Sequence, residues 1–158
     1  VTKLANLLLL IAIVTTSVQA YDLSEGNDLN SGQFLLDVYL EDEGEALMIG
    51  YVDPEDLDDL SFLESSDYIY DKDTKELYVL TNSLTTKIED CWVLNLNLDP
   101  ESQWCGYMTV VYLPPETELK TIDLSEGLEC EVTESESSVV LNIWGYDVEG
   151  PTASINYF

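Results

Sequence analysis

The sequence predicts a mainly β protein: an antiparallel β-sandwich or a mixed sheet with one short helix, behind an N-terminal signal helix. Three observations predict it. Apolar residues alternate with a period of two through several short runs, the repeat of a half-buried strand. Turn formers such as Glu41-Asp42-Glu43-Gly44, Pro114-Pro115 and Gly150-Pro151 separate those runs. A single stretch, 54–65, carries the chemistry of a helix start.

Residues 1–20 open on a basic residue, Lys3, and run through an apolar stretch at 4–14 broken only by Asn6. They close on Val18-Gln19-Ala20. This is the layout of a secretory signal peptide, with cleavage expected after Ala20. The apolar stretch is shorter than the roughly 20 residues that span a bilayer. A membrane role is therefore expected only if this helix is retained as an anchor. Residues 21–32 read as a flexible polar lead, and 33–158 as a single β-rich domain.

Within that domain, Phe34, Leu36, Val38 and Leu40 alternate with Leu35, Asp37 and Tyr39 as a first strand. Residues 45–52 return as its hairpin partner, across a turn in which Gly44 supplies positive φ. Asp53 is the expected N-cap of the short helix, with Pro54 at its first position and Leu57, Leu60 and Leu63 on its apolar face. Strands at 67–70 and 77–80 make a small hairpin, with Tyr68, Tyr70 and Tyr78 lining one face. Residues 81–90 read as loop or a short helical turn. Strands at 91–98 and 105–113 follow as a hairpin around 96–102, and Pro114-Pro115 ends the second because proline cannot donate to a ladder. Three further strands, 128–133, 139–144 and 153–158, complete the domain. The pentapeptide Asp-Leu-Ser-Glu-Gly occurs at 22–26 and 123–127, but its flanks share nothing, so it reads as coincidence and not as a repeat.

Charge narrows the choice of partner. Five lysines face 32 acidic residues, with no arginine or histidine, for a net charge of −27. Such a surface repels phosphate, which argues against nucleic acid and anionic lipid. It favours solubility, cations and basic partners. The expected partner is an extracellular protein, peptide or glycan.

Cys91, Cys105 and Cys130 are an odd set, and outside the cytoplasm two of them are expected to pair. Cys91 and Cys105 flank the hairpin at 96–102 and are the first candidates; Cys105 with Cys130 is the competitor. The remaining thiol is expected to be a small buried hydrophobe.

Catalytic chemistry is hard to assemble from these residues. The lack of histidine removes the commonest general base and metal ligand. No phosphate-cradling glycine loop or dinucleotide fingerprint appears. A glycosidase needs only two carboxylates, a test that 32 acids make uninformative. Calcium takes oxygen ligands, and Asp71-x-Asp73 and 53–59 are the densest acids, yet neither matches an EF-hand: Lys75 and Glu76 stand where a ligand and a glycine belong. No cofactor, metal or catalytic residue is expected. Trp92, Trp104 and Trp144 could furnish a binding platform. Trp104, beside the turn at 99–103, is the one expected to be partly exposed and to meet a partner.

The run 107–119 ends a strand in Leu-Pro, and Val-Val-Leu-Asn-Ile-Trp-Gly at 139–145 and Ala-Ser-Ile-Asn-Tyr at 153–157 follow it. Together they resemble extracytoplasmic β-sandwich domains of archaeal, often methanogen, envelope proteins. Several such proteins continue into a membrane helix and a cytoplasmic winged-helix domain, neither of which stands in these 158 residues. The resemblance implies a sensor-like or surface-binding role. Gly145 with the penultimate Tyr157 is similar to the terminal strand of chaperone–usher pilins, which assemble by strand donation. The lead at 21–32 lacks the alternating apolar residues of a donor strand. The expected function is thus a secreted or surface-displayed acidic binding or scaffold domain, not an enzyme. The alternatives are a structural subunit of a surface layer or filament and, behind it, a carboxylate-based hydrolase.

Overall fold

The computed structural model describes residues 31–135 and 138–158. The predicted signal peptide, the lead as far as residue 30 and Glu136 of the last predicted turn lie outside them. Eleven strands occupy the described residues: β1 Gln33–Leu40, β2 Ala46–Val52, β3 Asp67–Tyr70, β4 Glu76–Thr81, β5 Thr85–Ile88, β6 Cys91–Asn97, β7 Gln103–Tyr112, β8 Leu119–Leu124, β9 Leu128–Ser135, β10 Ser138–Glu149 and β11 Thr152–Tyr157. They form two sheets, one of seven strands in the order β3-β4-β2-β1-β7-β10-β9 and one of four in the order β5-β6-β11-β8. Every pairing is antiparallel except β1 with β7. The predicted mainly β class therefore holds, in its mixed-sheet form.

The core lies where the sheets face each other. In β1 the predicted alternation is observed: Phe34, Leu36, Val38 and Leu40 are buried. They share one apolar cluster with Leu94 and Leu96 of β6 and Ala153, Ile155 and Tyr157 of β11. Phe34 stacks on Tyr107, with ring centroids 4.8 Å apart. Burial of this kind stabilises a sandwich by roughly 25 cal/mol per Å² of apolar area.

The short helix is two successive 3-10 segments, Pro54–Asp59 and Ser61–Ser65. Asp53 caps the first as predicted, accepting a hydrogen bond from the Glu55 N–H at 3.1 Å. The bonds then run three residues back, from Asp56 to Asp53, Leu60 to Leu57 and Leu63 to Leu60. Asp56 is turned inward, where its carboxylate accepts the Gly32 N–H at 2.6 Å and ties the segment to the start of β1. Lys75 reaches Asp53 at 2.8 Å and holds its carboxyl below the usual aspartate range.

Two strands escaped the alternation argument. β5 reads Thr-Thr-Lys-Ile and β8 Leu-Lys-Thr-Ile-Asp-Leu. Both are edges of the small sheet, where one ladder side and one face meet water and few apolar residues are needed. β6 and β7 are not a hairpin; they lie in different sheets, and residues 98–102 cross between them. In the β3–β4 hairpin Tyr68 and Tyr70 pair with Val79 and Leu77, whereas Tyr78 pairs with Ile69. Tyr78 consequently points to the opposite face from the other two, because a one-residue offset reverses the side of a strand.

Candidate functional site

The two outer faces of the sandwich differ in chemistry. On the small sheet, Asn95 pairs with Ser154 and Val93 with Asn156; Asp123 and Thr121 continue the same two rows. That is an ordinary solvated surface. On the seven-stranded sheet the outward residues are mostly apolar or aromatic.

Pairing registers place these outward residues in three rows. The middle row runs Tyr78, Ile49, Asp37, Val110, Asn142 and Glu131, across β4, β2, β1, β7, β10 and β9. One flanking row is Leu80, Leu47, Tyr39, Tyr112, Val140 and Thr133. The other is Glu76, Tyr51, Leu35, Met108, Trp144 and Glu129. At about 4.8 Å per strand, this face is about 29 Å wide. Leu47 and Val110 are buried yet fall outside the inter-sheet core. Tyr39 and Tyr112 stack with centroids 4.5 Å apart and planes 2° from parallel. Met108 is 38% exposed.

One charge interrupts this surface. Asp37 sits in the middle row between Ile49 and Val110. Burial pushes its carboxyl up to about 6, against a smaller lowering by a hydrogen bond from the Val110 backbone. The Tyr39 hydroxyl is pushed well above its ordinary range, by burial first and then by Asp37 and Tyr112. Burial and then Glu76 raise Tyr51 and Tyr78 as well. These phenols therefore stay protonated and can donate; Tyr51 Oη donates to Glu76 Oε1 at 3.4 Å.

Comparison with protein-family models, curated proteins and solved structures found no match to this chain.

The residues singled out from the sequence sit elsewhere. Trp104 is 1% exposed, a correction to its expected role at a partner surface. Asp147 adopts a left-handed conformation (φ 51°), interrupting the alternation of β10, and Val148 and its partner Trp104 both join the core. There Trp104 meets Phe34 edge-on at 5.6 Å and donates its Nε1–H to Ser102 Oγ at 2.9 Å. The pairing of Cys91 with Cys105 is likewise corrected. The two residues lie in different sheets, and Cys91, Cys105 and Cys130 are all free thiols. Cys130 is on β9, separated from β7 by β10, so it does not bridge to Cys105 either.

The outer face itself was passed over in the sequence. The signal was there: Ala46-Leu47-Met48-Ile49 and Val110-Val111-Tyr112 are continuous apolar runs, the pattern of strands covered on both sides.

Proposed function

We propose that the protein is a secreted or surface-displayed acidic domain that binds or scaffolds a basic polypeptide partner without catalysis, through the outer face of its seven-stranded sheet. The observation that carries this reading is the contrast between the two outer faces: one polar, the other an apolar and aromatic field of three rows. Extended apolar surface of this kind marks interaction sites in soluble proteins. The charge of −27 selects basic partners. An apolar-sided polypeptide fits better than a glycan, because the aliphatic Leu35, Ile49, Leu80, Met108 and Val140 lie between the phenols and offer contact area to apolar side chains. Export rests on the signal-like residues 1–20, and the likeness to archaeal envelope domains points the same way.

The reading is tested by screening extracellular proteins, peptides and glycans against the native chain and two variants. Leu35→Gln with Met108→Gln alters the apolar face, and Val93→Gln alters the polar one. Ligands are expected to be basic polypeptides that are lost by the first variant and kept by the second, with both variants melting as cooperatively as the parent. Ligands indifferent to the first variant would place binding elsewhere on the molecule.

A further inference from the structure

Resting on that reading of the apolar face, we infer that Asp37 selects the partner by receiving a lysine or arginine carried on an amphipathic segment, whose apolar side covers Leu35, Tyr39, Met108 and Tyr112. The position of Asp37 is the first argument. β1 is the central strand of seven, with three on either side, and Asp37 lies mid-row and midway along it. Its neighbours across the strands are Ile49 and Val110, and its outward neighbours along the strand are Leu35 and Tyr39. A carboxylate ringed by apolar groups is costly unless a counter-charge meets it.

Among the described residues, no cation acting on Asp37 supplies that counter-charge. Lysine makes no contribution to the electrostatics of Asp37. Lys75 is engaged by Asp53, and Lys87 lies over the Trp92 ring at 5.3 Å. The cation must therefore arrive with the partner, and the surrounding apolar side chains exclude water from the pair once it docks. Glu76 on one flank and Glu129 and Glu131 on the other set the same requirement at the margins. They also disfavour a second copy of this chain, which would bring like charges together.

The probe is a synthetic amphipathic helix of leucine and lysine, about five turns long. Two controls accompany it: the same helix with glutamine for lysine, and a scrambled peptide of equal charge without an apolar side. Binding is followed by calorimetry at low and high salt with the native protein, Asp37→Asn, and Asp123→Asn on the polar face. The expected result is that the amphipathic cation binds the native protein, weakens roughly tenfold with Asp37→Asn, and is unaffected by Asp123→Asn. The scrambled peptide should bind weakly and lose its binding in high salt, which screens diffuse attraction more than an enclosed pair. If Asp37→Asn binds as tightly as the parent while Leu35→Gln with Met108→Gln does not bind, the face is a docking site but the selective role of Asp37 is wrong. Binding only to glycans, or a concentration-dependent dimer abolished by the face variant, overturns the proposed occupant. Failure of every peptide to bind overturns both readings. Melting curves identify any variant that fails to fold, and Asp37→Glu then serves as the second substitution, expected to retain binding of the lysine peptide over its glutamine control.

Discussion

At the scale of a residue, Asp37 sets charge against burial. An aspartate in an unfolded chain titrates near 3.8, and in the fold this one is pushed up to about 6. Between those values the native state holds the extra proton, so this residue's contribution to stability falls as pH rises from about 4 through about 6. It is fully present below the lower value and gone above the higher one. A shift of that size corresponds to about 3 kcal/mol, and partial exposure reduces it to on the order of 1–2 kcal/mol. Asp37→Asn should therefore raise the melting temperature by a few degrees at pH 8 and leave it unchanged at pH 4. The pH dependence of the difference between parent and variant isolates this group from the other carboxylates, including Glu76 and Glu131 on the same face. A lower melting temperature for the variant at pH 8 would mean that the charge is already satisfied in the free protein.

At the scale of an element, the approach of β1 and β2 is the tightest constraint. Gly50 pairs with Leu36, and a Cβ there would stand 1.9 Å from the Leu35 carbonyl oxygen and 2.8 Å from Leu36 Cα. Those are backbone atoms, so the strands would have to part. Gly50→Ala is expected to destabilise the fold by roughly 2–3 kcal/mol in urea denaturation. Gly106→Ala, whose added carbon would meet only Gln33 Cγ at 3.9 Å, should be nearly neutral. Equal effects would refute the close approach. Elements also show what a sequence can disclose. β1 was readable because a buried face imposes alternation, β2 as its return across the Gly44 turn, β4 and β10 as apolar runs between turn formers, and the Asp53 cap because its side chain answers a local need. β5 and β8 were not, since edge strands bury little. The partner of β7 was not either, because parallel pairing with β1 joins residues far apart in the chain. Trp104 was misplaced by a left-handed residue on another strand, Asp147, which no local pattern around Trp104 encodes. The outer face was legible only as apolar runs, and its use as a site depended on knowing which strands stand side by side.

At the scale of the whole molecule, 32 acids and five lysines make self-repulsion a standing cost. Raising sodium chloride from about 0.01 M to about 1 M shortens the screening length from about 30 Å to about 3 Å. The melting temperature should climb by several degrees over that range, most steeply at its low end. A falling melting temperature would give the larger share to attractive contacts such as the Lys75–Asp53 ion pair. The described architecture also sets the first and last of its described strands inside the sheets and not at their edges. β1 lies at the midline of the large sheet and β11 is flanked on both sides by β6 and β8. Losing either strand would not shave a margin; it would cut a sheet in two, so these two strands are the keystones of their sheets.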